Sequence, residues 1–309
     1  MRSFLGGWAD PNETVTLVAP SGPARSHQET YTTTAAADGT WGIQLNPPGI
    51  PYQKGGGAAT ISVIGSHGGD RVVATNVVFG DVILCAGGAA MAAPLGVNDA
   101  AASLLPRGIR VFTVGAAVAP ISPTRPDVPA NSTGWVSTDD TASMAAVSAV
   151  SALCVKSAAA LLALYPKASG RKLGLVVAAS EQDDDLSAWL PAATATTIAT
   201  TCGHPDALAT ATAGPAVSTA APTRFNAMIA PFALYSFRSI LWALSPMLPG
   251  SAKTEACRLR AMINGWRDAM PVGDVAFHMV QSQSRDVAGE TGLPACIPAT
   301  LPSSSLPLC

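Results

Sequence analysis

Residues 80–91 read GDVILCAGGAAM, and this stretch decides the fold. Asp81 to Cys85 is β-branched and apolar, the pattern of a buried strand. It runs into a turn of small residues, Ala86 to Ala90, in which Gly87 and Gly88 supply backbone freedom. A strand that ends in a glycine-rich turn before a helix is where α/β folds place ligands and nucleophiles. This turn contains no Ser, Cys, Thr, Lys, Asp or His. It has the form of a nucleophile turn and lacks the nucleophile.

Downstream, apolar strands alternate with helices. The strands are DVILC, GIRVFTVG (108–115), KLGLVVAAS (172–180), SILWAL (239–244) and DVAFHMVQ (274–281). Helices are expected over Thr141 to Tyr165, from Leu186 to about Thr200, and over Thr254 to Ala269. Continuous apolar strands separated by helices indicate a parallel sheet covered on both faces. Pro120 to Thr138 holds four prolines and reads as a surface loop. His204 to Pro222 is Ala/Thr/Pro-rich and reads as a linker or insertion.

Upstream of the key stretch, residues 13–79 read as β structure. ETVTLVAP, ATISVIG (59–65) and RVVATNVVF (71–79) are strands, and two more flank Asp38-Gly39, a hairpin signal. The expected organisation is a small β-sandwich-like module over 1–79, an α/β domain over 80–287, and a Pro/Ser-rich extension over 288–309.

The chain has 309 residues, 12% charged and 48% hydrophobic, with a formal net charge of −2. An average soluble domain carries about 25% charged residues. This unusually neutral surface fits either a plain soluble protein or one that buries its outside against partners. The charge gives no electrostatic case for nucleic acid or anionic membrane. The N-terminal MRSFLGGWADP is too short and too weakly apolar for a secretory core. Lys156 and several serines interrupt the longest apolar stretch, Ala142 to Tyr165, so a buried helix is expected rather than a membrane span. Six cysteines occur without a CxxC pair, which permits disulfides without specifying them. Asn12-Glu13-Thr14 and Asn131-Ser132-Thr133 match the N-glycosylation pattern.

Several blocks, in order, resemble the sialate O-acetylesterase family, SGNH-type carbohydrate esterases. They are DGTWGIQLNPP with VVFGDVILC, KLGLVVAAS followed by LSAWL, RFNAMIAPF with SILW, EACRLRAMINGWRDAM, and VAFHMVQSQS. The resemblance spans residues from about 5 to 283. It implies an SGNH-hydrolase-like three-layer α/β/α domain with a parallel sheet, and a secreted or lysosomal compartment. It also implies a Ser nucleophile activated by the His of a late Asp-x-x-His, with an oxyanion hole built from Gly and Asn.

At the matching positions this chain departs from the pattern. The first block reads Cys85, Ala86, Gly87, Gly88, Ala89, Ala90, Met91, with Ala89 at the nucleophile position. Glu181, Gln182, Asp183 and Asp184 stand where Trp-Gly-Gly-Thr is usual, so Asp183 replaces a glycine donor. Trp242, Ala243, Leu244, Ser245, Pro246 and Met247 stand where polar site residues are usual, with Leu244 and Pro246 replacing polar groups. None of the four histidines, His27, His67, His204 and His278, has an Asp three residues before it.

Other constellations have plainer readings. Glu181 with Asp183, Asp184 and Asp185 could attract a divalent cation, but acids at a loop or helix start are the simpler reading. Asp139 and Asp140 suit a helix N-cap and first turn. Ser180 and Ser245 follow core strands without a His placed beside them. His278 reads as a core or edge histidine, and Trp189 and Trp242 as sheet–helix packing. No cofactor and no metal are expected. The expectation is a catalytically inactive relative of these esterases, acting as a structural or interaction subunit with other protein subunits. The alternatives are a glycan-binding protein with a non-catalytic cleft, and an active carbohydrate O-acetylesterase.

Overall fold

The structure is a computed structural model that describes residues 3–21, 27–45, 58–69, 71–95, 108–119, 127–138, 150–164, 172–182, 186–202, 223–244, 252–270 and 275–281. Outside the described residues lie the expected helix start at 141–149, Asp139, Asp140, Asp183 to Asp185, Ser245, Pro246, the 204–222 linker and the 288–309 tail.

Six strands form the large sheet. They are β7 (Asp81–Gly87), β8 (Ile109–Thr113), β9 (Val136–Ser137), β10 (Leu173–Ala179), β11 (Ser239–Leu244) and β12 (Ala276–Gln281). Their order is β12-β11-β7-β10-β8-β9. All pairings are parallel except β8 with β9. All five predicted core strands are present, because each is a continuous apolar run that must be covered on both faces. One apolar cluster, on one face, includes Leu84, Ala86, Val176, Trp189, Ile240, Trp242 and Trp266. The other, on the opposite face, includes Ile83, Cys85, Leu175, Val177, Leu241 and Ala243. The period of two divides the five parallel strands between these clusters. The result is an α/β fold.

Helix α1 (Ala89–Ala92) and helix α2 (Ala152–Leu164) cover the second face. A 3₁₀ turn at Leu186–Trp189, helix α3 (Ala192–Thr201) and helix α4 (Ala252–Ala269) cover the first. The helix expected from Leu186 to Thr200 is thus broken. Pro191 is the cause: it lacks a backbone N–H and steers Leu190 away from helical geometry. The expected loop 120–138 also contains the short strand β9, which pairs with Arg110 and Val111.

The N-terminal strands form two sheets. One is four-stranded, in the order β3 (His27–Thr34), β2 (Thr14–Ser21), β5 (Ala59–Gly65) and β6 (Val72–Val77). The other pairs β1 (Ser3–Trp8) with β4 (Thr40–Leu45). Leu17, Ala19, Ile43, Leu45 and Ile61 form a core common to both.

Two expectations are corrected here. Residues 3–8 form a strand that the sequence reading missed. Its Gly6-Gly7 pair hides the pattern; Leu234 lies over Gly6 and the Trp41 ring over Gly7, while the Phe4 ring fills the side-chain space of Gly42. Asp38-Gly39 does not close a hairpin either, because β3 pairs with β2 while β4 pairs with β1. The turn instead passes the chain between sheets. Gly39 takes φ +82° there, and the Asp38 carboxylate accepts the Thr40 N–H at 2.9 Å and the Thr40 hydroxyl at 2.7 Å.

The first strand reaches far along the chain. The Phe4 N–H donates to Ser236 Oγ at 3.2 Å, 232 residues away. Arg110 joins the two parts again, donating to the Asn76 carbonyl at 2.6 Å and to Asn76 Oδ1 at 2.7 Å.

Candidate functional site

The chain leaves β7 towards β8 on one side and returns through β11 on the other. The crevice beyond the carboxyl ends of β7 and β11 is therefore a topological switch point, the usual ligand position in open α/β sheets. The key turn sits there.

Gly87 ends β7 with φ +144°, and a Cβ on it would stand 2.5 Å from the Ala243 carbonyl oxygen of β11. Only glycine suits both conditions. Gly88 caps α1, accepting the Met91 and Ala92 N–H groups at 2.9 and 3.1 Å. Ala89 and Ala90 are half-buried at the start of that short helix, and Met91 is fully buried. Ala89 thus presents a methyl group where the resemblance assigns a nucleophile.

The turn is clamped from the second face. Cys85 is disulfide-bonded to Cys154 on α2. The buried Ser151 hydroxyl lies 3.2 Å from Met91 Sδ and accepts the Cys154 N–H at 3.1 Å. Ala152 N–H donates to the Ala93 carbonyl at 2.8 Å, and Leu95 N–H to the Val150 carbonyl at 2.9 Å. A second disulfide, Cys202 to Cys257, joins the end of α3 to α4. The sequence reading left the pairing of the cysteines open, since contact across 69 and 55 residues depends on the fold.

Beside the turn, Ser180 N–H donates to the Gly87 carbonyl at 3.0 Å, and the buried Ser180 hydroxyl accepts the Gln182 N–H at 3.2 Å. Gln182 Oε1 accepts Arg224 Nη2 at 3.0 Å, and Arg224 Nη1 reaches the Ala117 carbonyl at 3.0 Å. Asn226 Nδ2 donates to the Ala119 carbonyl at 3.1 Å, and Ala119 N–H to the Thr223 carbonyl at 2.9 Å. Arg224 and Asn226 are both buried. Asn226 lies in a π-helical turn, Phe225–Ile229, a rare conformation often found at functional sites. Together these groups hold the segment after β8 against the segment before β11. Sequence alone assigns the Arg and Asn of RFNAMIAPF no role. A cation and an amide inside an otherwise apolar block were the available signal.

The remaining expected site residues are spread out. Leu244 is the last residue of β11, and Glu181 is exposed beyond Ser180. His278 lies on the edge strand β12, level with Cys85 through Leu241. That places it two strands, about 10 Å, from β7 across the sheet. It is exposed on the strand rather than on a loop beyond it, and partial burial holds its pKa below the usual value. His67 lies in the turn after β5, and His27 begins β3.

Trp242 and Trp189 pack edge to face with ring centres 5.3 Å apart, and Trp242 and Trp266 at 5.6 Å, as packing residues would. Trp266 Nε1 donates to the Trp189 carbonyl at 2.7 Å. The buried Trp242 Nε1 has no acceptor.

Among the described residues, one group of potential metal ligands converges, far from this turn in sequence. Asp10, Glu13 and His67 offer ligand atoms within 4.8 Å of one another. The buried Glu13 carboxylate accepts the backbone N–H groups of Asp10 and His67, each at 3.0 Å. These bonds hold its pKa below the usual carboxylate value. The arrangement is accounted for as a staple between the β1–β2 turn and the turn after β5.

No protein-family model and no curated protein matches the chain. Among solved structures, it is similar to a carbohydrate acetylesterase from Xanthomonas citri, with a TM-score of 0.64 and 20% sequence identity. The match covers 90% of this chain and 56% of that one, so the chain spans little more than half of its neighbour's length. The fold is carbohydrate-esterase-like. None of the described helices is long and apolar enough to cross a membrane.

Proposed function

We propose that this chain is a carbohydrate-esterase-like protein without acyl-transfer chemistry, a degenerate relative of the sialate O-acetylesterases acting as a structural or interaction subunit. One observation carries the reading: Ala89, the first residue of α1 at the switch-point turn, carries only a methyl group. Neighbouring polar groups support it: the Ser180 hydroxyl accepts the Gln182 N–H, Gln182 accepts from Arg224, and Asn226 donates to the Ala119 carbonyl, bonds that tie segments of the chain together. Loss of the Ser or His of a triad costs on the order of a million-fold in rate. In this reading residues 80–287 form an SGNH-like three-layer domain behind a small sandwich at 1–79, and the low charge suits burial against other protein subunits.

The test is acetate release from O-acetylated sugars and p-nitrophenyl acetate. Turnover at the uncatalysed rate is expected, and Ala89→Ser alone restores none of it, since the described histidines lie elsewhere: His278 is two strands from β7, and His27 and His67 are in the N-terminal part. Turnover in the wild-type chain that a point substitution removes would refute the proposal.

A further inference from the structure

We infer that Asn12 is an N-glycan acceptor. Three independent observations meet at this residue. The first is the motif Asn12-Glu13-Thr14.

The second is geometry. Asn12 occupies the turn between β1 and β2 with φ +64°, a conformation that Asn tolerates better than most residues. It is exposed, and so is Thr14. The backbone around them is fixed: Asn12 N–H donates to the Ala35 carbonyl at 3.1 Å, and Thr14 N–H to Ser66 Oγ at 3.1 Å. Among the described residues the Asn12 carboxamide and the Thr14 hydroxyl make no hydrogen bond, so a substituent on Asn12 breaks none of those described. Asn131, in the other matching motif, is placed differently. Its carboxamide lies against Gly115, in the space a Cβ would take, and the Thr133 hydroxyl accepts the Thr113 N–H at 2.8 Å. A glycan on Asn131 would disturb packing that a glycan on Asn12 leaves intact.

The third observation concerns the compartment. Two internal disulfides, Cys85–Cys154 and Cys202–Cys257, need an oxidising environment in which to form and persist. The eukaryotic secretory lumen supplies both that environment and the glycosyl donor, an oligosaccharide on a polyprenyl diphosphate. In the transfer, Asn12 Nδ2 forms a bond to C1 of the reducing-end sugar. The C1–O bond to the diphosphate breaks, and the lipid diphosphate leaves with the electron pair. The amide proton passes to a basic group of the transferase.

The experiment sends the full chain into the secretory pathway of a eukaryotic cell behind a cleavable leader. The product is treated with peptide N-glycosidase, and peptides are mapped by mass spectrometry. The expected result is a mobility shift on deglycosylation and, in heavy-oxygen water, labelled Asp at position 12. Asn12→Gln and Thr14→Ala each lose that shift component, whereas Thr14→Ser retains it. An unmodified Asn12 peptide from the secreted protein, or a shift unchanged in both Asn12→Gln and Thr14→Ala, would overturn the inference.

Discussion

Arg224 and Gln182 meet at 3.0 Å across 42 residues of sequence, and the same guanidinium holds the Ala117 carbonyl. A buried cation thereby ties together the segments that follow β8 and β10. Arg224→Met leaves both acceptors without this donor, and a hydrogen bond to a charged group is worth about 1.5–3 kcal/mol. The expected loss is about 2–4 kcal/mol in urea unfolding. Arg224→Lys recovers only part of it, since an ammonium lacks the planar fork. A midpoint for Arg224→Met equal to wild type would show that the link is dispensable.

Trp242 and Trp266 share one aromatic stack and differ in a single hydrogen bond. Trp266 Nε1 is satisfied by the Trp189 carbonyl, whereas Trp242 Nε1 is buried without an acceptor. Both Trp→Phe replacements remove similar volume. Only Trp266→Phe gives up a bond, while Trp242→Phe removes an orphaned donor. Trp266→Phe is therefore expected to cost more than Trp242→Phe, by about 1–3 kcal/mol. Thermal unfolding of the two variants side by side checks the order, and the reverse order would contradict the assignment.

Cys85 and Cys154 are each 1% exposed, and their bond closes a separation of 69 residues. Removing a native disulfide costs about 2–5 kcal/mol. The Cys85→Ala/Cys154→Ala double variant should melt at a lower temperature than wild type. Under native conditions, thiol labelling should detect neither cysteine until the protein is unfolded and reduced. Prompt labelling of Cys85 or Cys154 in the untreated protein, located by peptide mapping, would show that the bond is not formed.

Glu13 is expected to give the N-terminal strands an acid sensitivity. Its carboxylate is held below its ordinary value of 4.5 by the backbone N–H groups of His67 and Asp10. A pKa lower in the folded than in the unfolded state adds stability above the unfolded pKa, and the gain disappears as pH falls through the folded value. Asp38 shifts in the same direction through its bonds from Thr40. Urea midpoints measured from pH 7 down to pH 2 should fall more steeply for wild type than for Glu13→Gln. Parallel curves would exclude Glu13 from the effect.

What the sequence revealed depended on the range of the signal. The core strands were legible because burial on both faces imposes unbroken apolar runs such as DVILC and LGLVV. Strand β1 was not, because Gly6 and Gly7 carry no side chain and depend on Leu234 and Trp41 to cover them. The destination of the chain after Asp38-Gly39 was also hidden. A turn residue reports a local dihedral angle and says nothing about which strand comes alongside. At the switch-point turn, Gly87 and Ala89 were readable from composition alone. The ties of Arg224 and Asn226 were not, since each reaches a backbone carbonyl more than 100 residues away, and the Gln182 partner of Arg224 lies 42 residues away. Backbone acceptors leave no trace in residue type.

The bond from Phe4 to Ser236 also sets an order of events during synthesis. At about 5–20 residues per second, the ribosome needs roughly ten to fifty seconds to travel from one partner to the other. The first strand emerges early, yet the hydroxyl that receives its N–H is among the later residues made. Until then the β1–β4 ribbon can pack on the four-stranded sheet through Ile43 and Leu45 but lacks its tie to Ser236. The link between the first sheet and the segment before β11 is therefore among the last of the fold's contacts to become available.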